Sequence, residues 1–339
     1  MKKNSNKNLF VTLVMALVIV IIGIFIGNAG NNPTSNQDNS SSAKTNSDTG
    51  TTEALSTSNL INELNGTIIY ASRTSAANEI YSVTVNTQPK KVYTDKNDDL
   101  KIKSMQSVTR SGKILAVMAP EDQQFGGSLY LISTDGSGKK DKLIDEFAST
   151  QTPVISPNSK KIAYIVFNNA ETDYGFSLYV MNTDGTSKQK IASNPDELKI
   201  MSWNYTGDKI SYLKGDSLKQ SDIYYSDLSG NETKLISYKE KIYSLSFGQN
   251  KIVLTKGPLD KLNQSEVYRT DLDGKNIKRV TTDENHENFC VLSPDDKAEA
   301  CLRIDYSKNV DLSKSGEIMI FMDGSNKKLS DGNYIIGWY

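Results

Sequence analysis

The chain has 339 residues, of which 37% are hydrophobic and 23% charged, and its formal net charge is −1. That length is greater than one average domain, but propellers and barrels of this size commonly form a single folded unit. The near balance of acidic and basic residues gives no electrostatic argument for nucleic-acid binding, so we expect no nucleic-acid partner.

The N-terminal region differs from the polar chain that follows it. Residues 9–27, from Leu9 to Gly27, are apolar and uncharged and are long enough to cross a bilayer as a helix. Lys2, Lys3 and Lys7 lie in the basic tail, residues 1–8, which the positive-inside rule places in the cytoplasm with the rest exported. A cleaved signal peptide is the alternative. The apolar run exceeds the usual signal core of about 7–15 residues, which favours a single-pass anchor in the cell membrane.

Residues 28–65 are rich in Ser, Thr and Asn and are predicted to form a flexible linker. Near its end, Leu60, Ile61 and Leu64 have the spacing of a short amphipathic helical turn. We expect that turn to dock on the folded domain.

Residues 66–339 contain six copies of one strand pattern, an acidic or small residue followed by an aliphatic residue and usually tyrosine. The copies are EIYSVTV at Glu79, SLYLIST at Ser128, SLYVMNT at Ser177, DIYYSDL at Asp222, EVYRTDL at Glu266 and EIMIFMD at Glu317. They recur roughly every 44 to 51 residues, close to a propeller repeat. A turn containing glycine follows most copies, as expected for antiparallel hairpins.

The repeats predict an all-β, six-bladed antiparallel propeller. The unit that begins at Gly66 lacks a first strand, and the C-terminal segment NYIIGWY supplies one. Pairing the C-terminal strand with the first blade closes the ring and removes its open edge. The predicted blades are residues 66–95 plus 333–339, 101–146, 150–194, 198–238, 241–283 and 287–331.

The segment SPNSKKIAYIVF followed by SLYVMNTDGTSKQKI resembles the repeat of the TolB-like (WD40-like) β-propellers. SPDDKAEACLRI and YTGDKISYL are weaker versions, and the resemblance covers residues 66–339. It implies a six-bladed scaffold often used to bind proteins or peptides. Proteins of the TolB type also have an N-terminal α/β domain, whereas here an apolar segment and a linker occupy that place. This departure argues against transferring the Tol–Pal role.

The sequence offers little for catalysis. His286 is its one histidine, whereas a catalytic metal site usually needs two or three imidazoles or thiolates, so we expect no metal and no cofactor. No G-x-S-x-G nucleophile motif is present. His286 is predicted to be a solvated loop residue, with a partner contact at the channel mouth as the alternative.

Two cysteines flank a predicted turn in the last blade. Cys290 lies on the first strand and Cys301 on the second, and a regular hairpin would place them opposite each other, within disulfide distance. An exported location permits oxidation. A pair of packed thiols is the alternative.

Acidic residues concentrate in the connections between blades, and several basic clusters fall on the opposite face of the predicted disc. Because these connections lead into the innermost strands, we expect them to surround one channel mouth with negative charge, which would attract a basic peptide, protein loop or cation. Ordinary solvated loop charge is the alternative. The candidate partner-binding residues are Asp98, Asp99, Asp145, Glu146, Asp196, Glu197, Asp283, Glu284, His286 and Glu287.

These observations predict a membrane-anchored, extracytoplasmic binding module for an envelope protein or peptide. A small-ligand-binding, hydrolase-type or lyase-type propeller with its site at the channel mouth is the alternative. The lack of a nucleophile–base pair favours the binding module over the enzyme.

Overall fold

A computed structural model describes residues 60–74, 76–123, 126–170, 172, 174–215, 219–261, 263–283, 285–306 and 316–339. The predicted membrane anchor, residues 9–27, and most of the predicted linker lie outside this part of the chain. Within the described ranges, no helix is both long and apolar enough to span a bilayer.

The described residues form six antiparallel sheets of four strands each, which we number as blades one to six. From the inside outward, blade one contains β24 (Tyr334–Trp338), β1 (Ile68–Arg73), β2 (Asn78–Val83) and β3 (Lys90–Thr94). Blade two contains β4 (Leu100–Val108), β5 (Lys113–Pro120), β6 (Gly127–Ser133) and β7 (Lys140–Phe147). Blade three contains β8 (Val154–Ile155), β9 (Lys161–Asn168), β10 (Gly175–Asn182) and β11 (Gln189–Asn194).

Blades four to six follow the same order. Blade four contains β12 (Leu198–Trp203), β13 (Lys209–Lys214), β14 (Ser221–Asp227) and β15 (Glu232–Tyr238). Blade five contains β16 (Lys241–Phe247), β17 (Lys251–Gly257), β18 (Glu266–Asp271) and β19 (Lys278–Arg279). Blade six contains β20 (His286–Leu292), β21 (Glu299–Ile304), β22 (Gly316–Met322) and β23 (Ser325–Gly332).

The six first strands form the inner ring of the molecule. Each contacts the first strand of the next blade, and β20 contacts β24, which in turn contacts β4. This closed circuit of radially arranged sheets is a β-propeller. The predicted six-bladed all-β propeller is therefore confirmed.

The C-terminal strand completes blade one, as the sequence predicts. β24 pairs antiparallel with β1, with Ile68 opposite Trp338. The N–H of Thr67 donates to the carbonyl oxygen of Tyr339 at 2.7 Å. Gly66 allows this closure because its φ is +97° and an added Cβ would lie 2.7 Å from the Trp338 indole nitrogen.

The apolar core is divided among the spaces between neighbouring blades. Strand residues alternate between the two faces of each sheet, so every blade supplies side chains to both neighbours. Between blades one and two, for example, Ile69, Ile114 and Ile336 pack together. Ile61 and Leu64 are buried against blades six and one, so the predicted docking turn belongs to the folded unit.

Candidate functional site

The propeller has two unlike faces. The turns between first and second strands and between third and fourth strands lie on one, which we call the turn face. The connections between blades and the loops between second and third strands lie on the other, the connection face.

Buried charge concentrates in blades five and six. The buried charged side chains of the described residues are Asp95, Lys256, Glu287, Asp296 and Glu299. All except Asp95 belong to those two blades. Burying a charge is costly unless it is paired. Glu287, Asp296 and Glu299 have their partners within these two blades, whereas Lys256 faces Tyr238 of blade four.

Three carboxylates meet at the connection face between these blades. Glu266 begins β18, Asp283 lies in the connection between blades, and Glu287 is the second residue of β20. One carboxylate oxygen of each lies within 4.8 Å of the others. We call this group the carboxylate cluster.

Two arginines partly neutralise the carboxylate cluster. Arg303, on β21, donates from Nη2 to Asp283 Oδ2 at 2.6 Å and from Nε to Glu287 Oε1 at 3.0 Å. Arg279, at the end of β19, donates to Glu266 Oε1 at 2.6 Å. The side chain of Asp283 is 41% exposed, whereas that of Glu287 is fully buried. The cluster therefore presents its charge to solvent through Asp283.

Burial changes the acidity of the innermost member. Desolvation, followed by the negative charge of Asp283, raises the pKa of Glu287 to about 7, while Arg303 opposes the rise. Removing a carboxylate from water disfavours its charged form, and a nearby like charge does the same. With Glu287 ionised, three negative charges face two positive ones; with Glu287 protonated, the cluster is balanced.

Carboxylate oxygens are the ligands preferred by hard divalent cations, so the donor type of the cluster suits such an ion. Each of its three carboxylates already accepts a hydrogen bond from Arg279 or Arg303. A cation would therefore compete with two guanidinium groups.

The prediction that His286 is a solvated loop residue is wrong. His286 begins β20 and is buried, with its ring edge-on to Tyr243 at 4.8 Å between centroids and to Tyr306 at 5.9 Å. Its Nδ1 lies 2.9 Å from the hydroxyl of Ser265, which donates to the carbonyl oxygen of Glu287. Desolvation, followed by the charge of Lys241, lowers the pKa of His286 to about 4. The histidine is thus a neutral packing residue beside the carboxylate cluster.

Three of the predicted acidic residues lie away from the channel mouth. Asp145 and Glu146 are on β7, the outermost strand of blade two. Asp98 accepts hydrogen bonds from Tyr93 and Lys140, which lie on the outermost strands of blades one and two. The expected ring of negative charge is therefore wrong for these positions, because the edge strands carry the lysines and tyrosines that bind such carboxylates.

Two of the other predicted residues belong to the carboxylate cluster. Asp283 and Glu287 come together in the carboxylate cluster, and Glu284 lies outside the described residues. Asp99 and Asp196 are exposed, and Glu197 is half-buried before the inner strand of blade four.

The sequence prediction missed Glu266 and both arginines. Glu266 has a sequence signal, because it opens the third-strand pattern EVY, but that pattern indicated packing rather than a site. Arg279 and Arg303 have none, since only the pairing of neighbouring strands within blades five and six shows that they face these carboxylates.

The structure joins Cys290 and Cys301 in a disulfide with a Cα–Cα distance of 4.2 Å. The hairpin between them is not regular. The register shifts between Asn288 and Val291, so β20 has an extra residue opposite β21. Phe289 occupies this bulge with a φ of +50° and a side chain 37% exposed.

No protein-family model matches the chain, and no curated protein matches its sequence. Among solved structures, TolB from Acinetobacter baumannii is similar, with 17% identity and a TM-score of 0.60 over 80% of this chain and 66% of that one. A TolB structure from Agrobacterium tumefaciens has 17% identity and a TM-score of 0.54, over 78% of this chain and 89% of that one. An acylaminoacyl peptidase from Pyrococcus horikoshii has 14% identity and a TM-score of 0.51, over 79% of this chain and 45% of that one.

At these identities the similarities establish the fold, a TolB-like β-propeller. The chain spans less than half of the peptidase, so that similarity concerns only part of the peptidase chain.

Proposed function

We propose that this propeller is a non-enzymatic binding module that takes a basic segment of an envelope protein or peptide at the carboxylate cluster. The observation that carries the proposal is the convergence of Glu266, Asp283 and Glu287 at the connection face, with Asp283 open to solvent. Charged groups at the edge of an interface steer oppositely charged partners and set specificity. The propeller fold shared with TolB supports a protein partner.

The proposal includes a location. The apolar residues 9–27 would anchor the chain in the cell membrane, with the propeller outside the cytoplasm. Such a location is consistent with the disulfide between Cys290 and Cys301, because oxidising compartments preserve disulfides.

Selection of binders from a random peptide library on the folded protein tests the proposed specificity. We expect the wild type to enrich peptides rich in Lys and Arg. Asp283→Asn removes the exposed charge while keeping the side-chain shape, and should weaken those peptides by about tenfold, a loss of about 1.4 kcal/mol of binding free energy.

Asp145→Asn is the matched control. Its carboxylate is 69% exposed and pairs with Lys142 on the outermost strand of blade two, far from the cluster along the ring. This variant should bind the selected peptides as the wild type does. Enrichment of peptides without basic residues, or equal weakening by both substitutions, would contradict the proposal.

A further inference from the structure

Four lysines lie on the inner strands toward the connection face. Lys101 and Lys103 are on β4, Lys199 is the second residue of β12, and Lys241 begins β16. Within the described ranges, none of them lies at ion-pairing distance from a carboxylate. Lysines on outer strands, such as Lys140, do form such pairs.

Three of these ammonium groups bind only backbone carbonyl groups among the described residues. Lys101 donates to the carbonyl oxygens of Asp95 and Lys96 at 2.8 and 3.1 Å. Lys103 donates to that of Glu121 at 3.1 Å, and Lys199 to that of Tyr243 at 3.3 Å. A carbonyl dipole compensates a cation less than a carboxylate does. The connection-face ends of these inner strands therefore have positive charge that their own hydrogen bonds neutralise incompletely.

Lys199 and Lys241 both contact Tyr243. The Nζ of Lys199, from blade four, contacts the carbonyl oxygen of Tyr243 in blade five, and the Nζ of Lys241 lies 5.2 Å from the centre of the same tyrosine ring. Desolvation lowers the pKa of Lys199, the charge of Glu197 opposes this, and the charge of Lys241 adds to it. The positive charge of Lys241 therefore acts against the charged form of Lys199, because two like charges near each other repel.

We propose that Lys199 and Lys241 form a binding site for an oxyanion, the carboxylate or phosphate group of a ligand, at the connection-face ends of the inner strands β12 and β16. An oxyanion between the two ammonium groups would relieve their repulsion and accept charge-assisted hydrogen bonds from both. The negative charge of Glu197, which acts on Lys199, limits the charge of the group that binds. The site goes beyond the proposed function, because it uses other residues and the opposite charge.

Thermal unfolding and calorimetric titration of the folded protein with inorganic phosphate and with acetate test this site, at ionic strength held constant with sodium chloride. At a roughly tenfold excess of phosphate over its Kd, we expect the Tm to rise by about 2 °C. Lys199→Met should abolish the response, and Lys241→Gln should weaken binding at least about fivefold. A response to phosphate but not to acetate would identify a phosphate site, and a response to each of the two anions would identify a general oxyanion site.

Lys275→Met is the matched control, because Lys275 lies in the turn between β18 and β19 on the opposite face and its side chain is 79% exposed. It should respond to phosphate as the wild type does. If Lys199→Met fails to fold, Lys241→Gln decides by itself. A wild type that responds to neither anion beyond the chloride control, or two lysine variants that respond like the wild type, would overturn the proposal. The anion responses of the wild type and of the lysine variants do not depend on Asp283. The basic-peptide proposal is therefore tested separately.

Discussion

At the scale of single residues, burial shifts the pKa values of two consecutive residues, His286 and Glu287, in opposite directions. Burial raises the pKa of Glu287 to about 7 and lowers that of His286 to about 4. A raised carboxyl pKa makes folding stability fall as the pH rises from the unfolded pKa toward the folded one. A lowered histidine pKa makes stability fall as the pH drops below the unfolded value, so the two effects offset each other between about pH 4.5 and 6.5.

Glu287→Gln should expose the contribution of the histidine. The amide resembles the protonated carboxyl group, so the variant should lose the fall in stability between about pH 4.5 and 7, worth at most about 3 kcal/mol. Urea unfolding across this pH range measures the free energy of unfolding of both proteins. The difference in this free energy between the variant and the wild type should increase as the pH rises. Asp145→Asn should keep the wild-type pH profile. If Glu287→Gln and the wild type gave parallel profiles, the raised pKa of Glu287 would be wrong.

At the scale of elements, β20 combines a bulge, a disulfide and a buried histidine in one inner strand. Phe289 has a left-handed backbone conformation, which is unfavourable for a bulky residue, and the next residue is fixed to β21 by the disulfide. Its ring lies 6.0 Å from that of Tyr334, on the inner strand of blade one. Blade six therefore presents an aromatic side chain toward the neighbouring inner strand.

The redox state of the disulfide reports on the compartment of the propeller. If the propeller is exported, thiol trapping in intact cells should find Cys290 and Cys301 oxidised, as persistent disulfides are in exported proteins. The short loop that they close should contribute up to about 3 kcal/mol to unfolding stability, by the entropy of loop closure. A Cys290→Ala/Cys301→Ala variant controls for labelling elsewhere in the chain. Reduced thiols in unstressed cells would contradict the extracytoplasmic placement.

At the scale of the whole molecule, the strand β24 holds the ring closed. It covers the edge of β1, and Trp338 donates from its indole nitrogen to the carbonyl oxygen of Asn65 at 3.1 Å. The hydroxyl groups of Tyr339 and Thr134 are 2.9 Å apart, which ties the same end to blade two. An uncovered inner edge would expose the N–H and C=O groups of β1.

Deleting residues 334–339 should open the propeller and lower its Tm by at least about 10 °C, since two buried isoleucine side chains and one strand pairing are lost together. Size-exclusion chromatography should show association through the exposed strand edge. Trp338→Phe is the control, because it removes one hydrogen bond while keeping the strand, and it should cost about 1 kcal/mol. A deletion variant that stayed monomeric with the wild-type Tm would show that closure does not depend on β24.

The sequence by itself determined the architecture. Alternating strands, glycine-containing turns and the spacing of EIYSVTV to EIMIFMD indicated six blades, and NYIIGWY indicated how they close. These features can be predicted from the sequence because strand alternation and tight turns depend on residues close together in the chain. The position of Cys290 and Cys301 around one turn was readable for the same reason.

Only the tertiary structure decided the site. The burial of His286, the partners of Glu287 and the meeting of Lys199 with Tyr243 depend on contacts between strands or between neighbouring blades. A one-residue bulge or a small rotation of one blade changes which charges meet, and local patterns do not encode either. The side chains of the inner ring and of the connection face take their protonation states from these contacts, because burial and neighbouring charge set the pKa of each group.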